Sequence, residues 1–300
     1  MPILAHVGGG AFDPLQVTAL TVAGAAYALR ATTLARERRP APAWRVACFY
    51  SGLGVIAVAL FTPIGHIGEE LVFVHMIQHL LLADLAALLI VLGLTRALLQ
   101  PVLAIRAVDR LQVLALPIVA LPLWIASLYV WHLPALYDAA VTSELVHALM
   151  HACFLGFGIL IWMPVFGPLP VPTWFGGGAQ LAYTAVARLA AAALGNVLMW
   201  SGTVLYPAYA AGEAEHGISP LADQSIAGAI MMAEGMVVTL AMLAWVVLRW
   251  AARDTEKQRL LDLAQERGLA LDEGRAERAV AAGHGSQLEE RLRSGQLSPP

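Results

Sequence analysis

Charge is what this chain has least of. Only 13% of its 300 residues are Asp, Glu, Lys or Arg, 59% are hydrophobic, and the mean hydropathy is +0.70. A soluble globular domain carries about 25% charged residues, so this composition excludes one and points to a polytopic membrane protein. The formal net charge of -3 says little about partners, because most charges lie in residues 251–300 and in short loops. No basic stretch with interleaved aromatics is present, which excludes nucleic acid as a ligand. Cysteine is scarce too: Cys48 and Cys153 both sit in apolar runs and read as small buried hydrophobes rather than a disulfide, although a soft metal could recruit Cys153. There is no HExxH motif to supply a metal ligand together with a base. No arrangement for covalent or hydrolytic catalysis appears either, so the chain is not read as an enzyme. The opening MPILAHVGGGAFDP lacks the basic flank and cleavage-like site of a secretory signal.

What the chain does have is apolar runs. A helix needs roughly 20 residues to cross a hydrocarbon layer, and seven segments qualify: about Leu15 to Leu34, Trp44 to Phe61, Leu71 to Leu94, Leu111 to Tyr129, Ser143 to Phe166, Ala179 to Leu205 and Leu221 to Trp250. The second should stop at Thr62-Pro63-Ile64-Gly65, and the fourth contains Pro117 and Pro122, which a membrane helix tolerates better than a soluble one. The expected fold is therefore all-α, a seven-transmembrane helix bundle. It comprises an external segment 1–14, a membrane domain 15–250 and a charged tail 251–300 that is partly helical or disordered.

Basic residues set the orientation. Arg36, Arg38, Arg39 and Arg45 follow the first span, Arg96, Arg106 and Arg110 the third, and Arg249, Arg253 and Lys257 the last. The alternate loops carry Glu69, Glu70, Asp138, Glu144, Glu213 and Glu215 with almost no basic residue. The positive-inside rule then places the N-terminus outside and the tail in the cytoplasm.

With that topology, eight of the nine histidines fall on the outer side: His6, His66, His75, His79, His132, His147, His151 and His216, with His284 alone in the tail. His75 and His79 are four apart in the third span, and His147 and His151 repeat the spacing in the fifth. Residues four apart share a helix face. Buried polar side chains in hydrocarbon need partners and usually mark a site. Neutral imidazoles coordinate copper, zinc, iron or nickel, so the two pairs facing one another would supply four nitrogen donors, with His132 a fifth or a supporting group. A single HxxxH is a weak motif; two at the same predicted depth say more.

Methionine adds thioethers suited to reduced copper. Met76 and Met150 adjoin the two pairs, and Met231, two turns inward of Asp223, leads the set in the seventh span, although methionine also fills irregular cores. Asp223 itself is open to two roles, a first-turn helix acid or an oxygen partner of the site, direct or through a histidine. Counting along the spans puts Asp84 and Glu234 each roughly 20 Å deep, with Arg188 within roughly one turn of them. A buried ionic network of these three is expected, structural or acting as a proton or ion relay.

The motifs His75-Met76-Ile77-Gln78-His79-Leu80, Trp131-His132-Leu133-Pro134-Ala135-Leu136-Tyr137, His147 with His151 leading to Ile161-Trp162-Met163-Pro164, and Asp223-Gln224-Ser225-Ile226-Ala227-Gly228 together resemble the CtaG-like cytochrome c oxidase assembly factor family over roughly residues 15–250. That resemblance implies a multi-pass protein of the bacterial cytoplasmic (inner) membrane that helps mature haem-copper oxidase by handling copper. Oxidase subunits, a periplasmic copper donor and membrane lipid are the implied partners. Matched onto this chain, the family's polar positions are His75, His79, His132, His147, His151 and Asp223. The paired cysteines of many soluble copper carriers are absent, which favours oxidase assembly over direct metal transfer. A haem-binding membrane redox protein and a metal-free scaffold for oxidase subunits are the alternatives.

Overall fold

The computed structural model describes residues 14–281 and 283–295, which are helical with no strand among them. The expected external segment, with His6, lies outside the described residues apart from Pro14. Helix α1 (Pro14–Arg36) leads to α2 (Ala43–Phe61), a short α3 (Pro63–Ile67) and α4 (Val72–Gly93). Short helices α5 (Arg96–Leu103) and α6 (Arg106–Leu111) precede α7 (Pro117–Trp131), α8 (Pro134–Thr142), α9 (Glu144–Phe166) and α10 (Gly177–Trp200). After a 3-10 turn at Pro207–Tyr209 come α11 (Ala210–Glu215) and the long α12 (Pro220–Glu266). The chain closes with α13 (Glu273–Ala281) and α14 (Gly285–Arg293).

Six of these helices, α1, α2, α4, α9, α10 and α12, are long and apolar enough to cross a membrane. A seventh crossing is reached by joining Arg106–Ala115 to α7, although the two are bent by 78°. Proline restricts the residue before it to extended backbone, and Leu116, ahead of Pro117, has φ -68° and ψ 139°. Leu111 therefore lies in the short helix before the bend, and the crossing expected at Leu111 to Tyr129 is broken ahead of Pro117. Thr62 ends α2 by the same rule, with φ -103° and ψ 178°, and its hydroxyl accepts from the Ile64 amide at the start of α3.

Helix α4 has an irregular middle and an anchored end. Leu81–Ala86 form a π-helical turn, whose i to i+5 bonding brings residues five apart toward one face. The turn packs against Gly158 of α9, where any Cβ would collide with the Ala83 carbonyl. At its far end α4 is held by a cation, which suits a helix C-terminus, and by a tyrosine hydroxyl. Arg45 donates to the carbonyls of Leu92 (3.0 Å) and Leu94 (2.6 Å), and the Tyr27 hydroxyl donates to Gly93 (3.0 Å). Tyr27 also stacks on Phe49 at 3.9 Å, inside an apolar cluster with Leu34, Ile56, Ala59, Leu82 and Ile90. The chain divides into two compact units, residues 1–237 and 238–300. Within the second, Leu260, Ala264, Val280, Leu288 and Leu292 form a small core of their own, so α13 and α14 fold on the last turns of α12.

Substituting Gly158→Val should force α9 off the π turn, since the obstructing atoms are backbone. The expected loss is about 1–3 kcal/mol, read as a lowered unfolding temperature in detergent, whereas Gly156→Val, which meets open space, should change little.

Candidate metal site

Helical periodicity brings the two histidine pairs together. His75 and His79 lie on the first turns of α4, His147 and His151 on the first turns of α9, and His132 caps the end of α7. Ring centroids are 4.2 Å apart for His75 and His79, 4.2 Å for His147 and His151, 5.2 Å for His75 and His147, and 5.7 Å for His79 and His151. His132 stands off at 6.3 Å from His79. His75, His79, His132 and His151 are buried and His147 half-buried. One donor atom each from His75, His79 and His151 falls within a mutual 4.8 Å.

Hydrogen bonds fix the tautomers. His75 Nδ1 lies 3.0 Å from the Gly68 carbonyl and His132 Nδ1 lies 2.7 Å from the Leu128 carbonyl. A carbonyl only accepts, so each Nδ1 carries the proton and each Nε2 keeps a free lone pair. The Nε2 atoms of His75, His79, His132, His147 and His151 are all buried without a hydrogen-bond partner, and so is His79 Nδ1. Buried polar atoms are normally satisfied, and so many orphans in one place fit a set of donors for an ion.

Around the cluster sit aromatic groups whose place at the site spacing alone does not reveal. Tyr137 of α8 lies 5.2 Å from His75 and 5.8 Å from His132 and stacks on Tyr206 at 4.0 Å. The Tyr206 hydroxyl donates to the His132 carbonyl at 3.0 Å, and Tyr209 stands 6.2 Å from His75. Phe154 packs on His79 at 4.1 Å. The loop that brings Tyr206 in is held by Gln224, whose carbonyl oxygen accepts from the Leu205 amide and whose amide donates to Leu198 and Thr203. An aromatic-rich LYPAY stretch in a polar loop was the available signal.

Both carboxylate oxygens of Asp223 accept from α4, from the amides of Val72 and Phe73 at 2.8 Å each. An acid at a helix N-terminus satisfies otherwise orphaned donors, and here it comes from a helix 150 residues away in sequence. Met231 lines a cavity of about 30 Å³ together with Met76, His79, His132, Phe154, Asp84, Arg188 and Glu234. His66 and His216 do not join the cluster; both are exposed, and His216 Nε2 lies 2.7 Å from Glu70. His284 lies between α13 and α14.

The deep ionic network takes the expected form. Arg188 of α10 donates to Asp84 at 2.6 Å and to both oxygens of Glu234 at 3.1 Å. Its guanidinium also lies over Trp124 (5.4 Å) and Trp162 (5.7 Å), a setting that suits arginine's planar, delocalised charge better than an ammonium.

Fold and site together define a multi-helix membrane protein with a buried, ion-competent imidazole cluster. The chain belongs to the cytochrome c oxidase caa3 assembly factor family, whose model matches residues 25–253. It is also similar to two uncharacterized proteins, Mb0105 of Mycobacterium bovis and MT0111 of Mycobacterium tuberculosis. Each is 25% identical over 260 residues, which is 81% of this chain but 39% of the relative's length. No solved structure matches the chain.

Removing the Asp223 carboxylate by Asp223→Ala should leave the Val72 and Phe73 amides unmet and cost about 2–4 kcal/mol, measured by thermal unfolding; Asp223→Asn should cost less. Glu213 of α11, buried against Asp223, has its pKa pushed up from 4.5 to about 7 by burial first and by the Asp223 carboxylate second. The folded protein therefore binds the extra proton between those values, and stability should fall as pH rises from about 4.5 through 7. Glu213→Gln should flatten that slope in a pH series of unfolding temperatures.

Proposed function

We propose that this chain assists cytochrome c oxidase assembly by holding copper, its cargo, on the histidine cluster. His75, His79 and His151 are the core ligands, His147 and His132 take part on either side, and Met231 and Met76 offer thioethers from the adjoining cavity. Asp223 would support the site by gripping the helix that carries His75 and His79. The observation that carries this reading is the set of five buried Nε2 atoms without partners, three of the histidines having donors within 4.8 Å of one another. Neutral imidazoles and thioethers suit copper, and fixed Nδ1 protons at His75 and His132 aim their Nε2 lone pairs inward.

The basic loops favour seven crossings of the bacterial cytoplasmic membrane with the cluster near the outer surface and the tail inside. A periplasmic donor would then load the site, and a docked oxidase subunit would receive the metal. The haem alternative finds less support. The imidazoles pack on one another and on Tyr137 and Phe154 instead of facing each other across a slot that a porphyrin could enter.

Metal analysis of the purified, folded protein beside a His75→Ala/His79→Ala double variant tests the assignment. Copper should bind the wild type and fall to background in the variant, with no Soret band in either. A stoichiometric Soret band would favour haem, and absence of copper from the wild type under both oxidising and reducing conditions would favour a metal-free scaffold.

A further inference from the structure

The network of Asp84, Arg188 and Glu234 pairs two carboxylates with one guanidinium. With both acids ionised it holds one surplus negative charge, and an isolated charge inside an apolar bundle is costly. The imidazoles pose the complementary problem, because neutral donors coordinate a cation without cancelling its charge.

The cavity joins the two. His79 and His132 line it together with Asp84, Arg188 and Glu234, while Ser127 Oγ and Arg188 Nε add buried polar atoms without partners. Asp84 follows His79 by five residues, roughly 8 Å along the axis, and the π turn at Leu81–Ala86 brings it round toward the histidine's face. Two acids elsewhere around the cluster, Asp223 and Glu70, have partners of their own. Asp223 accepts from two amides, and Glu70 lies 2.7 Å from His216 Nε2.

We propose that the Asp84–Arg188–Glu234 network is the counter-charge of the histidine cluster and matches it to a monovalent soft cation, copper in its reduced state. One positive charge on neutral imidazoles brings ion and network to zero; a divalent ion carries one charge more than this network supplies. The inference rests on the copper function proposed above.

The test uses full-length protein in detergent, with Ag(I) as an air-stable monovalent soft ion and Zn(II) as the divalent competitor. Two unit charges about 10 Å apart at an effective dielectric near 20 correspond to roughly tenfold in affinity. Glu234→Gln should therefore weaken Ag(I) binding roughly tenfold while X-ray absorption still shows nitrogen ligation. Glu234→Asp, which keeps the charge, should bind as the wild type does. If Glu234→Gln does not fold, Asp84→Asn removes the same unit of charge and takes its place. Equimolar Zn(II) should leave Ag(I) bound to the wild type. Unchanged affinity in the folded charge-removing variant, equal loss in Glu234→Asp, or displacement of Ag(I) by Zn(II) would each overturn the proposal alone. A wild type that binds neither Ag(I) nor copper would overturn the copper function itself.

Discussion

The two hydrogen bonds from Val72 and Phe73 to Asp223 hold the rest of the site in register. The first turn of a helix has amides with no partner of their own, and in a bundle without water they must be met by another element. Meeting them from α12 fixes where α4 begins, and with it the height and rotation of His75 and His79. A second tie lies deeper, where Arg188 bridges Asp84 of the same α4 to Glu234 of the same α12. The imidazoles hang between these two fastenings.

Several buried polar side chains in this bundle join helices through hydrogen bonds, whereas each clustered imidazole leaves its Nε2 unmet. Gln78 donates to the Ala59 carbonyl, Tyr183 donates to Ile161, and Gln224 bonds to the backbone of Leu198, Thr203 and Leu205. Those side chains are fastenings. The histidine Nε2 atoms are buried as deeply and bond to nothing. Because unmet buried groups are rare and costly, the contrast marks the cluster as functional more firmly than the presence of histidine does.

Much of this was legible in the residues because it depends on regular helix geometry. The four-residue spacing of His75 with His79 and of His147 with His151 predicts two shared faces, and they meet. Depth counted along the spans brings Asp84, Arg188 and Glu234 to one level, and they bond. What spacing could not give was anything set by departures from the ideal helix or by loops folding back. The π turn shifts Asp84 around α4, Leu116 ahead of Pro117 splits the fourth segment, and Tyr206, Tyr209 and Glu213 arrive from a loop whose path no periodicity describes. The role of Asp223 was open for the same reason, since its partners are backbone amides, which look alike at every position.

The π turn means that α4 carries one residue more than an unbroken α-helix of the same span would need. An α-helix turns about 100° per residue, so winding the same residues as an unbroken α-helix, without the π turn at Leu81–Ala86, would leave the imidazoles where they are and swing everything beyond by about that angle. Asp84 would leave Arg188, and Ile90 would leave its pocket beside Phe49 and Ile56. The surplus residue thus works as a phase adjuster, letting one helix present a ligand face at one end and a different packing face at the other.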